Sequence, residues 1–282
     1  MSFLFLGFML FLSLFLGFMA SNWFFMVLLM EITLFSFLFM IFDYNNLSFC
    51  VPSIKYFFSQ TLGSIMLMVS GLFFGLYMYM EYFFGIFFLL MGLCMKLGIF
   101  PFHFWVVPTW MELPYFMLIM LGIPLKVLPL ILLYDYVMEN SSLYFSYLLL
   151  IISCMSMLVG MMLGLWNKTI RGILGASSVT HSGWFLMAAV SGSLLNYFVL
   201  YSITLFFVLF SLLSMSYWYS TILMIALAGL PPFGVFIGKL LILINYFQLN
   251  LSVLFIVPAL VSSVVSLIYY LKFSFSFYFM VK

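Results

Sequence analysis

WFFMVLLMEITLFSFLFMIF, residues 23–42, carries a single charge, Glu31, near its middle. A helix of about 20 residues at about 1.5 Å per residue matches the hydrocarbon core of a bilayer. The pattern recurs along the chain. GIFFLLMGLCMK ends on Lys96, LIMLGIPLKVLPLILL encloses Lys126, and PPFGVFIGKLLILI encloses Lys239. A charge at the centre of a membrane helix costs about 2.5–3.5 kcal/mol on insertion scales, so four cost on the order of 10 kcal/mol. That is comparable to the net stability of a whole domain. The chain has eight basic and six acidic residues in all. Spending four of them at such depth marks Glu31, Lys96, Lys126 and Lys239 as the candidate functional set.

Composition fixes the class. Hydrophobic residues make up 68% of the 282, charged residues 5%, and the mean hydropathy is +1.36. A soluble surface needs far more charge, so this is an all-α polytopic membrane protein. The apolar runs are too long and too continuous for barrel strands of about 10 alternating residues. The net charge of +2 and the lack of a basic cluster point away from nucleic acid. Cys50, Cys94 and Cys154 are far apart, form no CxxC, and are expected to be buried, inert thiols. No GxGxxG or GxxxxGK[ST] occurs, so no nucleotide cradle is expected. Residues 2–20 lack the basic start and the small residue at Phe18 that a cleaved signal would need, and no Arg-rich transit sequence precedes them. They read as a retained first helix.

Breaks fall where polar and turn-forming residues gather. The expected spans are 2–20, 23–42, 54–78, 82–108, 113–135, 142–165, 170–190, 193–215, 218–248 and 251–273, with DYNNLSFCVPS at 43–53 as the longest loop. Ten crossings put both termini on one side. With that side inside, the inner loops and tail hold Lys55, Lys168, Arg171, Lys272 and Lys282, while the outer loops hold only Glu81, Asp135 and Glu139. That is a clear positive-inside asymmetry.

Two of the spans are long and interrupted. The fourth contains KLGIFPFHFW with Pro101, and the ninth contains AGLPPFGVFIGK with Pro231 and Pro232. Proline removes a helical hydrogen bond and glycine tolerates the bend. Divided at 138/139, the single membrane domain becomes two five-helix halves, each with a broken fourth helix. Five is odd, so the halves are expected to be inverted repeats, the arrangement of a transport core with its ions near the midplane.

The ionisable residues then acquire roles. Lys96, Lys126 and Lys239 are expected in proton transfer, because a lysine shielded from water can exchange between charged and neutral forms. The competing reading is a structural ion pair, or a lysine snorkelling to a headgroup. Lys126, bracketed by Pro124 and Pro129, is expected to use backbone freed by Pro129. Glu31 is the only carboxylate at such depth, and an intramembrane lysine is its obvious partner. His181, among hydroxyls in SSVTHSGW, is either a proton-path element or a hydrogen-bonded packing histidine. His103 in PFHFW suits a capping or interfacial role. Trp23, Trp105, Trp110 and Trp218 read as interfacial anchors.

VPSIKYFFSQTLGS, MKLGIFPFHFWVVP, GIPLKVLPLILL, LGLWNKTIRGILGASSVTHSGW and LAGLPPFGVFIGK occur in this order and spacing. Together they resemble the signature stretches of the mitochondrial NADH dehydrogenase subunit 2 family, antiporter-like membrane-arm subunits of respiratory complex I. The resemblance covers roughly residues 23–272 and implies an antiporter-like fold of two inverted five-helix repeats. It implies that Glu31 pairs with the broken-helix lysine, that Lys96 is that lysine, that Lys126 bridges a central hydrophilic axis, and that Lys239 ends it. It further implies a multi-pass protein of the mitochondrial inner membrane that binds no cofactor itself. NADH, FMN, iron–sulfur clusters and ubiquinone are expected in other subunits of an H⁺-translocating NADH:ubiquinone reductase. The expected partners are other membrane-arm subunits, including sister antiporter-like ones, and structural lipids. Family members elsewhere carry helices beyond the two repeats, so surfaces those helices form are expected here to be empty, lipid-filled or supplied by other subunits. Two other functions compete. One is a stand-alone cation/proton antiporter of the same fold, which would be expected to offer more carboxylates than Glu31. The other is a structural spacer with a dead channel, which would have no use for the four buried charges.

Overall fold

Two glycines in left-handed backbone, Gly98 (φ +68°) and Gly229 (φ +85°), stop two apolar helices in mid-run. The computed structural model describes residues 2–44, 47–75, 79–139 and 142–281. Among these, the regular structure is helical throughout. Helices α1 (Ser2–Phe18), α2 (Trp23–Phe42), α3 (Cys50–Gly75) and α4 (Tyr79–Leu97) precede the first break. After it come α5 (Val106–Glu112), α6 (Tyr115–Gly122) and α7 (Pro124–Glu139). Then follow α8 (Leu143–Trp166), α9 (Ile170–Val190), α10 (Leu194–Leu213) and α11 (Tyr217–Ala228). Beyond the second break lie α12 (Gly234–Gln248) and α13 (Ile256–Val281). Among the described residues, seven runs are long and apolar enough to cross a membrane: α2, α3, α6 with α7, α8, α9, α10, and α13 with its leading turn. Shorter apolar helices are α1, α4, α11 and α12.

The two breaks share a left-handed glycine and the turn after it. In each, the glycine takes the left-handed position just past the helix end, where a side chain would be strained. Three residues of turn follow, closed by Phe102 N–H donating to Ile99 O (2.8 Å) and by Phe233 N–H donating to Leu230 O (3.0 Å). Aligned on the glycines, Pro101 matches Pro232 and Phe102 matches Phe233. The match is an internal repeat of the form G-x-x-P-F that extends to an aromatic residue, Trp105 or Phe236.

Helix α9 is the hub. It is buried over 94% of its apolar window, and α5, α7, α8, α10, α12 and α13 pack around it. Small residues make that possible, as is usual between membrane helices. A methyl on Gly175 would come within 2.8 Å of Trp110 Cβ, and one on Gly183 within 2.4 Å of Ser156 Oγ. The α9 hydroxyls of Ser177, Ser178, Thr180 and Ser182 satisfy themselves on carbonyls three residues back. Contacts also pair off between the helices up to α7 and those after it. α1–α2 is mirrored by α8–α9, α2–α3 by α9–α10, and α3 on α4 and α5 by α10 on α11 and α12. Likewise α7 against α1, α2 and α4 is mirrored by α13 against α8, α9 and α11.

Several expectations are corrected. Helix α3 begins at Cys50 rather than 54, because Pro52 fits a first helical turn; it absorbs Lys55 and shortens the 43–53 loop. Helix α13 continues to Val281 rather than ending at 273, since FSFSFYFMV contains neither Gly nor Pro, so Lys272 lies within a helix. The side chain of Glu81 and the residue Lys282, both used in the loop-charge count, lie outside the described residues. Trp105 and Trp110 are not interfacial anchors. They are buried, Trp110 fully, because α9 offers Gly175 and α6 offers Gly122 as space for its indole, while Trp105 packs beside Gly98 and Tyr56. Trp23 is half-buried and donates to Leu67 O (2.8 Å). Cys50 is exposed, while Cys94 and Cys154 are buried as expected.

Candidate functional site

All three intramembrane lysines are buried, at 6%, 5% and 7% exposure for Lys96, Lys126 and Lys239. Each adjoins an interruption of its helix. Lys96 is in the last turn of α4, two residues before Gly98. Lys126 is in the first turn of α7, just past Ile123, which separates α7 from α6. Lys239 is in the second turn of α12 and reaches back across the second break. The interruption at Ile123 was not foreseen from the sequence, although Gly122 and Pro124 flank it. Helix α7 runs through Pro129 without stopping.

The lysines have different partners. Lys96 Nζ donates to Glu31 Oε1 at 3.4 Å, joining α4 to α2. The Glu31 side chain is 23% exposed, so the pair is sheltered on one side only. The Lys96 stem lies on Gly63 of α3, where a methyl would come within 3.1 Å of Lys96 Cγ. Lys126 Nζ donates to Ser178 O of α9 at 3.4 Å and lies 5.9 Å from the ring centres of both Phe185 and Tyr201. Its anchor is therefore a carbonyl across the helix interface and not the backbone freed by Pro129. Lys239 Nζ donates to Ala228 O at 3.1 Å, covering a carbonyl at the α11 C-terminus, and stands 5.5 Å from the Trp184 ring centre. Cations are favoured at helix C-termini and over aromatic faces.

His181 lies between Lys126 and Lys239. It is 3% exposed, and its Nδ1 is 2.8 Å from the Tyr197 hydroxyl. Its ring is 4.6 Å from that of Tyr201, which Lys126 also faces. On the other side, Tyr197 contacts Trp184 at 6.3 Å, the ring that Lys239 faces. Among the described residues the Tyr201 hydroxyl is buried with no hydrogen-bond partner, leaving a donor and acceptor for water. The structure thus gathers Glu31 with Lys96, and Lys126, His181 and Lys239 around two tyrosines; no direct bond joins the two groups among the described residues. Tyr197 and Tyr201 escaped the sequence reading. They are four residues apart on α10 and so share a face, the one signal available. His103 is buried in the turn that follows the first break, between the rings of Phe100 and Phe104, and caps no helix end. Among the described residues no three His, Cys, Asp or Glu side chains converge as a metal would require.

Comparison with known proteins fits this architecture. The family model described as NADH:quinone oxidoreductase/Mrp antiporter, TM, matches residues 20–218. NADH-ubiquinone oxidoreductase chain 2 of Albinaria caerulea is 34% identical over 98% of this chain and 89% of its own length. That of Branchiostoma lanceolatum is 32% identical over 91% and 80%. Among solved structures, a chain of respiratory complex I from Thermus thermophilus superposes with a TM-score of 0.84 at 22% identity, covering 96% of this chain and 69% of that one. A chain of the Mrp complex from Dietzia sp. gives 0.85 at 15% identity, covering 95% of this chain and 59% of that one. At those identities the superpositions show a common fold and nothing finer. The chain belongs to the NADH:quinone oxidoreductase/Mrp antiporter transmembrane family, among its NADH-ubiquinone oxidoreductase chain 2 members.

Proposed function

We propose that this chain is an antiporter-like membrane-arm subunit of respiratory complex I that translocates protons in the mitochondrial inner membrane, driven by redox chemistry in other subunits. The carrying observation is the placement of the four charges. Glu31 and Lys96 form an ion pair that can open, and Lys126 and Lys239 flank His181 through Tyr201, Tyr197 and Trp184. Proton transfer needs groups within hydrogen-bond reach or one water apart. The His181–Tyr197 contact meets that condition directly, and the unpaired Tyr201 hydroxyl can seat a water between Lys126 and His181.

In this reading α4 with α5, and α11 with α12, are each one broken crossing. Together with α1 and the seven long runs they make ten crossings, in inverted repeats of residues 1–138 and 139–282. The mirrored contacts and the shared G-x-x-P-F breaks support that division. Opening the Glu31–Lys96 pair leaves two unmatched charges in low dielectric, which drives a proton onto the carboxylate or off the ammonium. Lys126, His181 and Lys239 then carry protons across the second half. No redox group is assigned to this chain; NADH, FMN, iron–sulfur clusters and ubiquinone belong to its partners, and lipids cover its outer faces.

The test is Lys126→Met in the intact complex, reconstituted in proteoliposomes. The substitution keeps volume and removes the titrating group. Assembly should survive while the proton-to-electron ratio and coupled turnover fall. A Lys126→Met complex that pumps at the wild-type ratio and rate contradicts the proposal.

A further inference from the structure

The two breaks leave their helix-end carbonyls to different donors, and this assigns a role to Gln60. Helix α4 ends with carbonyls that have no partner within the helix. Ile99 N–H donates to Cys94 O (2.9 Å), Trp105 Nε1 donates to Met95 O (3.1 Å), and Gln60 Nε2 donates to Lys96 O (3.3 Å). Gln60 is 5% exposed and is one of two glutamines in the chain. It reaches α4 because Gly63, one turn on, lets α3 approach; a methyl there would meet Lys96 Cγ, Met95 Cβ and Gly92 O within 3.3 Å. One turn earlier, Tyr56 holds Trp105 edge-on, with ring centres 5.5 Å apart.

The second break has the same left-handed glycine and turn but lacks these donors. Phe236 stands where Trp105 stands and has no side-chain N–H. Helix α10 packs there as α3 packs on α4, and it presents Tyr197 and Leu200, with the Tyr197 hydroxyl committed to His181. Here the lysine itself covers a carbonyl, Lys239 Nζ on Ala228 O.

We infer that Gln60, aided by Trp105, is a positioning residue: by covering the α4 end with neutral donors it releases the Lys96 ammonium to pair with Glu31. Without them the α4 C-terminus draws in the nearest cation, as the α11 end holds Lys239, and the Glu31–Lys96 pair loosens. The inference rests on the proton-transfer reading given above.

The test uses Gln60→Met, which keeps volume and removes the donor, and Trp105→Phe, which copies Phe236. Both are made in the intact complex, beside Lys96→Met. An uncovered buried acceptor shifts such an equilibrium by about tenfold. Gln60→Met should therefore lower coupled proton transport several-fold, but add nothing in the Lys96→Met background. The infrared carboxylate band that disappears in Glu31→Gln should shift in Gln60→Met. Trp105→Phe should act in the same direction and supplies the test if Gln60→Met fails to assemble. If Lys96→Met abolishes transport while both cap variants keep wild-type transport and an unshifted band, the positioning role is wrong. If Lys96→Met itself leaves transport unchanged, the proton-transfer reading has failed instead.

Discussion

The first break carries its lysine before the left-handed glycine, and the second carries it after. Lys96 thus ends a helix whose carbonyls are covered by Gln60 and Trp105, and its ammonium turns to a carboxylate on another helix. Lys239 begins a helix and turns back to the carbonyl end of the previous one. Similar turns hold unequal charges: one lysine faces a full negative charge on another helix, and the other covers a helix-end carbonyl.

Substitutions separate the two arrangements. Lys96→Met should have the largest effect, since it strands Glu31 in a site that is only 23% exposed. Breaking a buried pair costs about 3–5 kcal/mol, and partial exposure puts this case at the low end. Thermal denaturation and assembly yield of the purified complex would show it. The double variant Glu31→Gln with Lys96→Met should regain assembly without regaining transport. Lys239→Met should be milder for stability, about 1–2 kcal/mol, because it orphans a carbonyl and not a charge. Equal destabilisation by the two single variants would erase the distinction.

Alanine at the glycines probes the scaffold itself. Left-handed backbone costs a residue with a side chain about 1–2 kcal/mol. Gly98→Ala should exceed this because its new methyl would lie 2.2 Å from Val106 Cγ2, whereas Gly229→Ala meets only the flexible Lys239 end at 3.1 Å. A lower melting temperature for Gly229→Ala than for Gly98→Ala would reverse that order. Tyr197→Phe should have the smallest effect, about 1 kcal/mol for a lost hydrogen bond to His181, with a partial loss of transport rate.

Long apolar helices, both proline-containing breaks and the burial of three lysines were legible in the sequence, because charge and proline are costly in an apolar run and so stand out. That Glu31 pairs with an intramembrane lysine was legible from the scarcity of carboxylates, while its pairing with Lys96 was what the family resemblance implied. What stayed hidden depends on three-dimensional fit. The break at Ile123 rests on local backbone that Gly122 and Pro124 permit but do not demand. Trp105 and Trp110 look like any aromatic near a helix end until Gly98 is seen beside the first, and Gly175 and Gly122 beside the second. The Ser178 carbonyl under Lys126 is a backbone atom of a helix interior, to which no side-chain pattern points.

The central claim is that Lys126 and Lys239 communicate through His181 within one hydrated path. A structure of the intact membrane assembly with ordered waters resolved tests it most directly. The account predicts waters linking Lys126 Nζ to the Tyr201 hydroxyl and the His181 ring, and another set leading from Lys96 to Lys126. Dry apolar packing between Lys126 and His181, with the Tyr201 hydroxyl bonded elsewhere, would contradict it.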